Sequence, residues 1–235
     1  MQGAAIWLLA FICYSFIGWL LEVVVSLIER HRFVNRGFLI GPLCPIYGTG
    51  ALLITFCLGS VKNPLAIFAT SILLSAILEY FTSYLMEKLF HVRWWDYSRR
   101  PFNLHGRICL ESLIIFGLSG LLIVTVVSPF FYQCFSALPL PLLYTLATIL
   151  FLALLVDFII SLYFIKGFRV TVGIAAKDAT IEISERVRQI IMSKGKLSRR
   201  LLKAFPDQKP SPHPTHRRTT KRASRSTPHP KSPKQ

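Results

Sequence analysis

Four acidic side chains lie inside long apolar stretches of this 235-residue sequence. They are Glu22, Glu79, Glu111 and Asp157. An ionisable group within a membrane span is costly, so such groups face the interior of a helical bundle and commonly take part in function. We therefore treat these residues as the first candidates for chemistry.

Three of these carboxylates could converge at one depth. Glu22 and Glu79 each lie about two helical turns from the end of an apolar stretch, and Glu111 lies about one turn into another. Burial and like-charge repulsion would make such a cluster bind protons or cations. The sequence therefore predicts an intramembrane acidic cluster of Glu22, Glu79 and Glu111.

The same residues also have a structural interpretation. Each Glu could pair with a loop cation such as Arg36, Arg107 or His105 and so fix the helices in register. For Asp157 we expect a hydrogen bond between helices. No phosphate-binding GxxxxGK(S/T), HExxH or GxSxG motif occurs in the sequence, so we predict no catalytic residue, metal or cofactor.

These residues must be positioned by transmembrane helices. Charged residues make up 16% of the chain, against about 25% in an ordinary globular domain. A helix needs about 20 apolar residues to cross a bilayer. The fold class is therefore an all-α, polytopic transmembrane bundle over residues 1–165 with about five spans, of which the second is the shortest: 4–28, 43–60, 64–86, 108–132 and 141–165.

Basic residues predict the orientation, because cytoplasmic loops collect Lys and Arg. Segments 29–42 and 87–107 are rich in Arg, whereas 61–63 contains only Lys62 and 133–140 has no charge. We expect a multi-pass protein of the plasma membrane with its N-terminus outside and its C-terminus in the cytoplasm.

The C-terminal part of the chain has a different composition. Residues 166–235 hold 18 of the 27 Lys and Arg residues. Residues 166–205 predict a basic amphipathic segment on the membrane surface, and 206–235, rich in Pro, Ser, Lys and Arg, predict a disordered tail. We expect this tail to bind anionic lipids rather than nucleic acid, because the membrane is the nearer anionic surface.

Two segments share the pattern Leu-x-Gly-x-(Leu/Ile)-Cys, at 39–44 and 104–109. Each follows an apolar stretch that contains a Glu, which suggests a parallel internal repeat of the kind found in transporters. The surrounding loops mix Gly and Pro with aromatic residues and Arg, which is typical of re-entrant or interfacial backbone.

Four stretches resemble the bacterial family of ABC-transporter permeases, type IV, and the resemblance covers residues 8–165. They are FICYSFIGWLLEVV (11–24), RGFLIGPLCPIYG (36–48), LEYFTSYLMEKLF (78–90) and RWWDYSRRPFNLHGRICLESLIIFG (93–117). The residues that match the family pattern are Glu22, Arg36, Gly37, Gly41, Pro42, Tyr47, Gly48, Glu79, Trp95, Asp96, Tyr97, Asn103, Gly106, Arg107 and Glu111, with His105 inside the same cytoplasmic-face motif.

The resemblance implies a permease-like membrane subunit that works with a separate cytoplasmic ATPase. Two other functions remain open from the residues alone. One is a membrane-embedded enzyme acting on lipid or cell-envelope precursors, with Glu and His as acid–base groups. The other is a non-catalytic membrane scaffold or regulator.

Overall fold

A computed structural model describes residues 2–31, 37–90 and 94–177, with the side chains of 29–30, 90 and 164–177 excepted. Arg36, most of the predicted surface segment 166–205 and all of the predicted tail 206–235 lie outside the described residues. The helices are α1 (Gln2–Arg30), α2 (Pro45–Leu58), α3 (Pro64–Phe90), α4 (Leu110–Leu122), α5 (Ser128–Ser136) and α6 (Leu140–Lys177). A π-helical turn, Ile123–Val127, joins α4 to α5, and two short strands, β1 (Asn103–Leu104) and β2 (Ile108–Cys109), form an antiparallel hairpin.

Within the described part of the chain, four helical runs are long and apolar enough to cross a membrane: Gln2–Ile28, Pro64–Leu89, Leu110–Ser136 and Leu140–Tyr163. Their most apolar windows are only 11% to 33% buried inside the protein. Such extensive exposed apolar surface suits contact with lipid tails, not with water. The structure confirms the predicted fold class, a helical multi-pass membrane protein.

The second predicted span, 43–60, forms the 14-residue helix α2. At a rise of 1.5 Å per residue this helix is about 21 Å long, shorter than a hydrocarbon core of about 30 Å. Pro45 lies in its first turn, where the missing N–H costs nothing. Four helices thus reach spanning length, and α2 is a shorter apolar helix packed among them.

Side-chain packing fixes the directions of the helices. Ala5, Ile6 and Leu9 near the start of α1 pack against Leu143 and Ala147 near the start of α6. Ile54 and Leu58 at the end of α2 pack against Ile67 at the start of α3. Helices α1, α3 and α6 therefore run in one direction, while α2 and the α4–α5 rod run back.

After the C-terminal ends of α1 and α3, the chain turns back along the helix that it has just left. In the first return segment, residues 37–44, the Cys44 N–H donates to Ser15 O (2.9 Å), near the middle of α1. In the second return segment, residues 94–109, the Tyr97 hydroxyl donates to Glu79 in the C-terminal half of α3. Helices α2 and α4 consequently begin at depth within the bundle.

Small residues bring each returning helix close to its partner. A Cβ at Gly48 of α2 would lie 2.7 Å from Phe11 O of α1. Gly117 of α4 similarly lies against Phe68 and Ile72 of α3. Close backbone approach through glycine is the usual packing device of membrane helices, and both helix pairs use it.

Candidate functional site

Asp157 of α6 anchors the first return segment. Its two carboxylate oxygens accept hydrogen bonds from the backbone N–H groups of Ile40 (3.0 Å) and Gly41 (2.9 Å). The Ser161 hydroxyl, one turn later, also accepts from the Ile40 N–H (3.0 Å) and donates to Asp157 (3.2 Å). The expectation that Asp157 bonds to another helix was therefore wrong. Its described partners are backbone N–H groups of the first return segment and Ser161 of its own helix.

Gly41 is required by this contact. A Cβ at this position would lie 2.7 Å from an oxygen of Asp157, closer than unbonded atoms approach. Its neighbour in the motif, Gly37, has a φ of 137°, a conformation that side chains rarely adopt. Pro42 follows directly and lies exposed. The glycines of the motif thus permit the turn and its close approach to α6.

Two carboxylates and two tyrosines meet between the return segments. The Tyr47 hydroxyl donates to Glu22 (2.8 Å), and the Tyr97 hydroxyl donates to Glu79 (3.1 Å). Glu79 also interacts electrostatically with Glu22, and its side chain is near Ser112 of α4. We call Glu22, Tyr47, Glu79 and Tyr97 the carboxylate–tyrosine cluster.

Tyr97 stays protonated in this cluster. Burial raises the pKa of its hydroxyl above the ordinary value, and the carboxylates of Glu79 and Glu22 raise it further. A protonated phenol can donate but not carry charge, so Tyr97 serves as a fixed donor to Glu79.

The second return segment is held by its own polar contacts. Arg107 forms an ion pair with Glu87 of α3 (2.7 Å), and both side chains are largely buried. The Arg107 guanidinium also lies over the rings of Tyr80 and Tyr84, at 5.4 and 5.6 Å from their centroids. Trp95 donates its indole N–H to Arg107 O (2.9 Å). Arg107 therefore joins this segment to the C-terminal half of α3.

The tip of this segment is a β-hairpin. His105 and Gly106 both have positive φ, as the tight turns of hairpins require. The Asn103 side chain accepts from the Gly106 N–H (3.0 Å) and donates to Arg100 O (2.7 Å). Asp96 caps the neighbouring turn by accepting from the Ser98 N–H. The motif residues of this region thus shape its backbone.

The three predicted acidic residues lie in two different environments. Glu22 and Glu79 belong to the carboxylate–tyrosine cluster, whereas Glu111, in the first turn of α4, pairs with Arg100 (3.0 Å) where both side chains are more than half exposed. His105 makes a hydrogen bond with Tyr80 (3.0 Å). In the described contacts, Arg107 therefore pairs with Glu87 and His105 with Tyr80, and not with Glu22, Glu79 or Glu111.

The two return segments also touch each other. Phe38 of the first segment lies against Trp94 of the second (centroids 6.1 Å apart) and against Phe158 of α6 (5.7 Å). The motif stretches that are separate in the sequence thus form one assembly at this end of the bundle. The family described as Putative ABC-transporter type IV matches residues 9–162, which include all of these stretches. The chain belongs to this family.

Membership agrees with the membrane helices and makes the chain a component of a membrane-transport family. No curated protein and no solved structure matches the chain. Specific roles for residues must therefore come from the geometry of this family member itself.

Sequence reasoning missed several residues of the site. Glu87, Ser161 and Tyr84 were not among the candidates, although Glu87 pairs with Arg107 and Ser161 supports Asp157. A signal existed for Ser161, because it lies one helical turn after Asp157 on the same face. Among the described residues, no group of three His, Cys, Asp or Glu side chains could hold a metal ion.

Proposed function

We propose that this protein is the permease-like membrane subunit of an ABC-type transporter and that it works with a separate cytoplasmic ATPase. The family match over residues 9–162 carries this proposal, since it includes every helix of the bundle. The partly buried carboxylate–tyrosine cluster supports it, because transporters place broken backbone and ionisable groups at their substrate sites.

We further propose that the return segments face the cytoplasm. Arg99, Arg100 and Arg107 lie in the second return segment, whereas the opposite end offers Lys62 between α2 and α3. Single cysteines should show this by labelling with an impermeant reagent in intact cells. Position 62 should label from outside, and position 99 only after the membrane is opened. Labelling of position 99 from outside would overturn the orientation.

The proposed docking surface for the ATPase is the exposed stretch 99–104, which leads into the β-hairpin and forms its first strand. Phe102 is 83% exposed and Leu104 is 51% exposed, beside Arg99 and Arg100. Phe102 also has a φ of 51°, an uncommon conformation for a bulky residue. Such strain clusters at functional sites, and aromatic residues with Arg dominate binding energy at interfaces.

Gentle affinity purification from native membranes tests the partner. We expect an ATPase to be recovered in stoichiometric amount, and Arg99→Glu and Phe102→Asp to reduce that recovery. Lys62→Glu is the matched control, because it reverses an exposed charge at the opposite end and should leave recovery unchanged.

Two results, if both were obtained, would contradict the transporter proposal. The first is repeated recovery of the protein alone, and the second is activity in vesicles without ATP. In that case a membrane-embedded enzyme for lipid or envelope precursors, or a scaffold, would account better for the cluster.

A further inference from the structure

One oxygen of the buried Glu79 has no hydrogen-bond partner within the part of the chain that the structure describes. Glu79 is only 6% exposed. Its Oε1 accepts from the Tyr97 hydroxyl, whereas its Oε2 has no hydrogen-bond partner among the described residues. A buried carboxylate oxygen without a donor is unfavourable while the group is ionised.

Among the described residues, the groups that act on the Glu79 carboxyl group carry no positive charge. Those that act on its carboxyl group are the Tyr97 hydroxyl, the side chain of Ser112 and the carboxylate of Glu22. Glu22 in turn is approached by Tyr47 of α2, and Tyr97 is also influenced by Cys109. The nearby cation Arg107 is paired with Glu87 two turns further along α3.

Two ionised carboxylates that interact inside a membrane protein repel each other, and burial strengthens the repulsion. One proton removes both the repulsion and the unpaired anionic oxygen. A metal ion fits less well, because both tyrosine hydroxyls direct their hydrogens toward the carboxylates. Those hydrogens would face a bound cation.

We propose that Glu79 and Glu22 form a proton-binding site between the two return segments, with the proton held on Glu79. For its role in transport this inference rests on the proposed function, because a proton site inside a permease would couple proton binding to the transport cycle. Tyr97 and Tyr47 hold the two carboxyl groups in position. The second oxygen of Glu79 is where the proton binds.

Infrared spectroscopy of the full-length protein in lipid vesicles tests the site without measuring transport. Below neutral pH the wild type should show the C=O stretching band of a protonated carboxylic acid, and the band should fade as the pH rises. Glu79→Gln should abolish this band. Glu111→Gln is the matched control, since Glu111 is exposed and paired with Arg100, and the band should persist in that variant.

Glu22→Gln gives a second measurement if Glu79→Gln fails to fold. Removing the neighbouring negative charge makes ionisation of Glu79 easier, so the acid band should vanish at a lower pH than in the wild type. Absence of the band from the wild type, or its full retention in Glu79→Gln, would overturn the proposal. Loss of the band on adding sodium or potassium at constant pH would also overturn it, by showing a site for an alkali-metal ion.

The spectroscopic result is separable from the transport proposal. A proton on Glu79 without any recoverable ATPase would leave the site intact and overturn only the transporter role. A recovered ATPase without the acid band would do the reverse.

Discussion

Replacing Asp157 by Ala should loosen the first return segment. In the folded protein this carboxylate accepts the N–H groups of both Ile40 and Gly41, and Ser161 shares the bond to Ile40. Alanine leaves the partly buried Gly41 N–H without that acceptor. The Ile40 N–H keeps the Ser161 oxygen.

The magnitude follows from these two losses. An unsatisfied, partly buried N–H costs about 1–2 kcal/mol, and losing one of two acceptors at Ile40 costs about 0.5–1 kcal/mol. The sum, about 2 kcal/mol, corresponds to a roughly 30-fold rise in the population of locally opened segment. Ser161→Ala removes the Ser161 bonds to Ile40 and Asp157 but leaves both carboxylate bonds to the backbone, so it should raise that population only a few-fold.

Cys44 reports this opening directly, because it ends the first return segment and is 8% exposed. Burial also raises the pKa of its thiol to about 12, so labelling by a maleimide should require the segment to open. In a variant that keeps Cys44 as its single cysteine, Asp157→Ala should speed labelling about 30-fold. Cys109, 2% exposed in the second return segment, is the matched reporter and should label at an unchanged rate.

Two outcomes would refute this reasoning. If Asp157→Ala labels Cys44 no faster than Ser161→Ala does, the carboxylate does not hold the segment. If Cys109 accelerates equally, the substitution has loosened the whole bundle.

Two further predictions concern stability. Arg107→Gln removes the buried ion pair with Glu87 and should cost about 3 kcal/mol in unfolding free energy. Arg100→Gln, in an exposed pair, should cost at most about 1 kcal/mol, and equal losses of thermal stability in the two variants would contradict the distinction. Gly41→Ala should lower thermal stability by about 1–3 kcal/mol because its Cβ meets Asp157, whereas Gly3→Ala, with nothing within 4 Å, should be neutral; equal melting temperatures for both would argue against that close approach.

Hydropathy predicted the long helices because lipid imposes a length and an apolar composition on every span. The hydropathy prediction was weakest for α2, because packing against the protein, and not the thickness of the bilayer, sets where this helix begins. Contact of Cys44 with Ser15 depends on tertiary packing that a hydropathy window does not detect. The predicted span 43–60 thus corresponds to a real helix, but one shorter than a membrane span.

The site was harder to predict, because the position of a residue along a helix does not show which face of the helix it lies on. Glu79 and Glu111 lie at comparable sequence depth, yet one is buried and the other is exposed. Glu87 was assigned to a loop because the predicted span ended at residue 86, whereas α3 continues to Phe90. Asp157 lies 116 residues from Gly41, and the repeat pattern alone gave no information about that pairing.

The shortness of α2 has a consequence for how the protein enters the membrane. A 14-residue apolar helix is a weak signal for independent insertion, and its first N–H groups need partners that lipid does not provide. Here the N–H of Cys44 finds its partner on α1, and Gly48 allows the two backbones to touch. Biogenesis should therefore deliver α1 and α2 as one hairpin, with α1 already in place as the template on which α2 acquires its topology.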